Sequence, residues 1–181
     1  MYRYARVLGI DPGGFLGVAD TLFKDNKLHV NRTNLYHINL MLNEIKYTEP
    51  FLIPEIVLKY KVLEKIITEP YMQDINYFVV EDSYAYIHKI TAFKSLNTYI
   101  QLLELLIYKY YKKRLIKIHN RLVKHVLVGK KTSIDKIEIQ EAILNNKDII
   151  IDKSIDTKYL TEHEFDAISL AYGFCKKYLR L

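Results

Sequence analysis

The chain has 181 residues, 50% hydrophobic and 27% charged, with only 6 Gly and 4 Pro, a balance that buries a sizeable core and excludes disordered, collagen-like and linker-rich architectures. Its 27 Lys and Arg against 21 Asp and Glu leave a formal net charge of +6, which suits an anionic partner such as nucleic acid and constrains partners rather than fold. A single cysteine, Cys175, closes no intrachain disulfide and builds no cysteine-rich zinc site, so a reducing compartment is expected and any metal would be held by oxygen or imidazole.

The opening MYRYARVLGIDPGG lacks the plan of a cleavable signal peptide, and no apolar run reaches the length of a membrane span, so a soluble, cytoplasmic protein is expected. RYARVLGI at 3–10 is β-branched and apolar enough for a buried strand, DPGG at 11–14 supplies a turn, and FLGVADTLF at 15–23 and KLHVNRT at 27–33 complete an antiparallel meander. Between Glu49 and Glu69 the apolar residues Ile56, Val57, Tyr60, Leu63, Ile66 and Ile67 recur at three- and four-residue steps, which predicts a helix with Pro54 near its start and Pro70 beyond its end. INYFVV at 75–80 reads as a strand buried on both faces, ending in Glu81 and Asp82.

A second helix is expected from Thr91 to Lys113, its cationic end KYYKKR placed where a helix C-terminus favours positive charge. LIKIH at 115–119 gives a short strand, and helices follow at 133–145 and 162–178, the last amphipathic through Phe165, Ile168, Tyr172, Cys175 and Leu179. No repeat or linker divides the chain, so residues 1–181 are expected to form one α/β domain with a mixed sheet.

The acidic residues carry the chemistry. Asp11 and Glu81 both stand at the exit of a buried strand, and neighbouring strands lie ~5 Å apart, so two such acids on adjacent strands could share a divalent cation. Asp82, next along the strand, must point away from Glu81. In TEHEFDAISLAYGF at 161–174, His163 and Asp166 are three apart and share a helix face, whereas Thr161 and Glu164 have the spacing of a capping box; Glu162, four before Asp166, remains open as a ligand. Taken alone, each element has an ordinary reading as a turn, a solvated strand end or a helix-surface histidine. Together they form the oxygen-rich set that one or two Mg²⁺ or Mn²⁺ ions need, and such a pair of ions suits phosphodiester hydrolysis.

The ordered set VLGIDPGG, VVEDSY, VKHVLVGKKTSIDK and HEFDAISLAYGF resembles, over the full length of the chain, the RuvC-type Holliday-junction resolvases, particularly their shorter phage-encoded relatives. The resemblance implies a ribonuclease H-like mixed β-sheet flanked by α-helices. It also implies a metal-dependent endonuclease that resolves four-way junctions, and other branched DNA, by paired symmetric nicks as a homodimer, using two Mg²⁺ or Mn²⁺ per active site. By the same resemblance Asp11, Glu81, His163 and Asp166 would be catalytic metal ligands, Lys136 a further catalytic residue, and Tyr84, Lys124, Lys130 and Lys131 DNA contacts. Many members carry Asp where this chain has His163, although His is also used, which bears on metal preference. Residues 34–74 look longer and less regular than in bacterial members.

By family analogy the helix at 91–113 is the dimer element, while its apolar residues Phe93, Leu96, Tyr99, Ile100, Leu103, Leu106 and Ile107 equally suit a core helix. Neither a membrane partner nor a small-molecule substrate is expected, and a phage-encoded member would work in the host-cell cytoplasm. Three other readings stand beside this one: a ribosomal-RNA-processing nuclease of the same superfamily, an actin-like nucleotide-binding domain whose phosphate loop also opens on G-I-D-x-G, and a non-catalytic DNA-binding descendant.

Overall fold

The structure, a computed structural model, describes residues 4–48, 53–82, 90–129 and 135–179. Three antiparallel strands open it: β1 (Tyr4–Asp11), β2 (Phe15–Lys24) and β3 (Lys27–His37). The β2–β3 hairpin turns on Asp25 and Asn26, both at positive φ, the geometry that matches the right-handed twist of the flanking strands. Helices α1 (Ile38–Thr48) and α2 (Glu55–Ile67) follow, then a 3-10 turn at Pro70–Met72 and strand β4 (Tyr77–Glu81). The second half runs α3 (Ile90–Tyr111), β5 (Leu115–Ile118), α4 (Asn120–Val128), α5 (Lys136–Leu144), β6 (Ile149–Ile151) and α6 (Glu162–Tyr178).

The strands form one six-stranded sheet in the order β5-β4-β1-β2-β3-β6. β1 pairs parallel to β4, β4 to β5, and β3 to β6, so the sheet is mixed and its centre is β1. Side chains alternate between its faces. Leu8 and Ile10 of β1, Leu16 and Val18 of β2, and Phe78 and Val80 of β4 enter one core with α1, α2 and α3, while Val7, Ala19 and Val79 enter the other with α4, α5 and α6. Helices on both faces explain why β1 and β4 read as continuous apolar runs.

The expected α/β order holds, with three additions. α1, α4 and β6 were not expected, and β3 runs to His37, four residues past its expected end at 33. α3 is a core helix: Tyr99, Ile100, Leu102, Leu103, Leu106 and Ile107 are buried against α2 and the sheet, so most of the apolar stripe that family analogy would use for a dimer is covered within the chain, and Leu105, Tyr108 and Tyr110 are exposed. α6 departs from one-sided amphipathicity, because every residue from Phe165 to Cys175 except Asp166 is buried. The sheet covers one side of it, and α4 and α5 cover the other. Among the described residues no helix is long and apolar enough to cross a membrane.

Candidate active site

Strand alternation decides which acids meet. Asp11 shares its face of β1 with Val7 and Gly9, and Glu81 shares its face of β4 with Tyr77 and Val79, so both project toward the α6 side of the sheet. Each lies one residue beyond the paired Ile10 and Val80 of the two parallel strands, which places the acids side by side at the carboxyl end of adjacent strands. Asp82, of opposite parity, hands its backbone N–H to the Ile118 carbonyl at 2.8 Å.

α6 comes down onto this edge because β1 and β2 present no side chain beneath it. A Cβ on Gly17 would lie 2.3 Å from the His163 carbonyl oxygen, and one on Gly9 would lie 1.9 Å from that of Ala167; both are backbone contacts that no rotamer change relieves. The two glycines therefore seat the His163–Ala167–Ala171 side of the helix, and His163 and Asp166 in the first turns are delivered to Asp11. The helix start is fixed by Thr161, whose N–H donates to Glu164 Oε2 at 2.9 Å and whose hydroxyl donates to the same oxygen at 3.1 Å. The expected capping role of Glu164 holds.

His163 Nδ1 lies 2.7 Å from Asp11 Oδ2. The Asp11 bond raises the imidazole pKa above its ordinary value against the opposing effect of burial. Phe15, at the head of β2, stacks on the His163 ring (centroids 5.6 Å, interplanar 16°) and meets His37, its partner across β3, edge-on at 4.2 Å. The buried His37 Nδ1 has no hydrogen-bond partner among the described residues. Asp166 is mostly enclosed: burial first, then the charges of Asp11 and Glu81, push its carboxyl up to about 7, against the opposing fields of Lys136 and His163. Lys136, the first residue of α5, pairs with Glu162 Oε2, and Glu162 Oε1 lies 3.8 Å from His163 Nε2. A chain of alternating charge thus runs Asp11, His163, Glu162, Lys136.

Four of the expected site residues, Asp11, His163, Asp166 and Lys136, are in mutual electrostatic reach, and Glu81 acts on Asp166. Lys124 is half-buried on α4. Tyr84, Lys130 and Lys131 lie outside the described residues. Phe15, the seating glycines and the pairing of Lys136 with Glu162 went unread in the sequence. The pairing of Phe15 with His163 needs α6 placed over β2, which no local pattern encodes.

Among the described residues no three His, Cys, Asp or Glu side chains converge as ligands on one point. The donor set nevertheless suits a hard divalent cation, since carboxylate oxygens and an imidazole are its usual ligands. Besides burial, the negative charges of Asp11 and Glu81 raise the Asp166 carboxyl, and that share is what such a cation would offset. For Asp11 and His163 to ligate together, their mutual bond has to give way.

No family model matches the chain, and no curated protein matches it in sequence. Solved structures do. RuvC from T. thermophilus in complex with a Holliday junction substrate superposes with a TM-score of 0.66 at 14% identity, over 94% of this chain and 93% of that one. The yeast mitochondrial Holliday junction resolvase gives a TM-score of 0.69 at 11% identity, over 96% and 79%. The chain has the fold of the RuvC-type resolvases. In this RuvC-type sheet the acids gather at the carboxyl ends of the central parallel strands, the edge where open α/β sheets bind ligands.

Proposed function

We propose that the chain is a divalent-metal-dependent, structure-selective DNA endonuclease that resolves four-way junctions by paired symmetric nicks as a homodimer. One observation carries this reading: acids from two adjacent parallel strands, Asp11 and Glu81, meet His163 and Asp166 from the glycine-seated α6 on one sheet face, within a fold shared with two junction resolvases. A four-way junction has approximate two-fold symmetry, so a two-fold dimer would offer it two such sites.

Two cations held by Asp11, Glu81, His163 and Asp166 would supply Lewis acidity for attack by water and for departure of the 3′ oxygen. The chain's own residues do the rest. With the cations bound, Asp166 would release its proton to solvent, His163 would turn from Asp11, and the Lys136 ammonium would face the scissile phosphate beside the carboxylates. Lys124 on α4 and the basic segment after it would follow the DNA backbone, supplying the non-specific share of affinity.

The test is cleavage of a synthetic four-way junction beside linear duplex with Mg²⁺ or Mn²⁺. Asp11→Asn is expected to slow nicking by roughly three orders of magnitude, about 4 kcal/mol, and to leave junction binding largely intact. Near-normal turnover of that variant would remove the metal-centred reading, and tight junction binding without nicking by the unmutated chain would make it a binding module.

A further inference from the structure

Lys136 stands in an odd place for a cation. It is the first residue of α5, next to the N-cap Asp135 whose carboxylate accepts the Glu138 N–H at 2.8 Å, and a helix N-terminus disfavours positive charge. Its partner Glu162 has no capping duty, because Glu164 performs that for α6. The two side chains are 63% and 40% exposed, and an ion pair so open to solvent adds little to stability. Fold stability thus gives no reason for Lys136, although Glu162 in the first turn of α6 suits that helix's N-terminus.

Geometry does. Glu162 lies between Lys136 and His163, with one oxygen on the ammonium and the other 3.8 Å from Nε2 of the imidazole. The ammonium it holds acts on Asp166 and Asp11. A free lysine side chain spreads over many rotamers, and pinning it beforehand removes that entropic cost from the reaction.

We propose that Glu162 is a positioning residue, which holds the Lys136 ammonium over the Asp11–His163–Asp166 centre so that it meets the phosphate of a bound DNA strand. The proposal deepens the nuclease reading and rests on it. Glu162 acts through Lys136, so its removal and that of Lys136 are one event and not two.

The experiment is a double-mutant cycle of Glu162→Gln and Lys136→Met in the full chain, read three ways. Single-turnover nicking of a saturating four-way junction is expected to slow about tenfold in each single variant and, within about twofold, no further in the double. Junction affinity with Ca²⁺ in place of Mg²⁺ is expected to change less than about twofold in Glu162→Gln, because the loss falls on the rate and not on binding. In chain reductively methylated with ¹³C, the Lys136 resonance, assigned by its loss in Lys136→Met, is expected to move to the position of the free surface lysines in Glu162→Gln. Multiplicative slowing in the double variant, nicking by Glu162→Gln at the original rate, or an unmoved Lys136 resonance would each overturn the proposal. If even the unmutated chain nicks no junction while the resonance still moves, the nuclease reading fails and the Glu162–Lys136 contact stands.

Discussion

Burial and the neighbouring Asp11 and Glu81 carboxylates hold the Asp166 pKa at about 7, above its ordinary 3.8. The folded chain therefore binds this proton more tightly than the unfolded chain, and stability falls as pH rises from about 4 to about 7. His163 acts in the same direction: its pKa is raised by the Asp11 bond, so the stability it contributes is full below its unfolded value and is lost as pH passes its folded one. The Asp166 shift corresponds to roughly 2–4 kcal/mol of strain once the group ionises. Asp166→Asn keeps the shape and removes the charge. At pH 8 it is expected to raise the thermal midpoint by about 5 °C or more, at 2–4 °C per kcal/mol, while nicking is lost. At pH 4.5 the gain shrinks toward zero. A midpoint that rises equally at both values, or falls at pH 8, would show that no such crowding exists.

The placement of α6 depends on what β1 and β2 leave out. Gly9 and Gly17 bring a helix backbone within touching distance of a sheet backbone, and this close approach carries His163 to 2.7 Å from Asp11. Gly17→Ala is expected to cost about 3 kcal/mol through overpacking, read as a midpoint lower by about 6–12 °C, and to weaken the His163–Asp11 contact as α6 shifts. A midpoint within about 1 °C of the unmutated chain would mean that α6 is not seated there. The GIDPGG motif shows its turn and its acid in the sequence, yet nothing local distinguishes a glycine that a helix crosses, such as Gly9, from one that merely turns.

The same limit separates the elements that could be read from those that could not. β1, β2, β4 and α6 are buried along most of their length, and α2 and α3 each bury a long apolar stripe, so all six carry patterns that can be read. Among the described side chains α4 buries Val123 alone, α1 buries Ile38 and Leu42, and β6 is three residues paired along one edge to Leu28–Val30; segments so short are stable only through tertiary packing. α4 also starts on an uncommon cap, with the His119 ring nitrogen accepting the Arg121 N–H at 3.1 Å. Asp11 and Glu81 as strand-end acids, and His163 with Asp166 on one helix face, could be read because strand ends and an i, i+3 step are local, whereas joining the two pairs took the family resemblance. Contacts between elements, such as Phe15 on His163 or Glu162 on Lys136, belong to the packing.

Charge divides the molecule between a positive whole and a negative centre. On the nuclease reading the net +6 would draw in a phosphate backbone, whereas Asp11, Glu81, Glu162 and Asp166 would lie close to the reacting phosphate. Affinity on this reading comes from lysines and arginines away from that point, so it is strongly salt-dependent even when no cleavage occurs. Junction binding with Ca²⁺ is expected to weaken by at least about a hundredfold between 50 and 200 mM salt, with log K linear in log salt. Lys124, half-buried on α4, is expected to be one of the contacts. Lys124→Ala should then reduce the slope by about 1 and weaken four-way and duplex DNA by the same factor, since a phosphate contact carries no structural preference of its own. An unchanged slope would return Lys124 to an ordinary helix-surface lysine, and a loss confined to the junction would make it a reader of branch geometry instead.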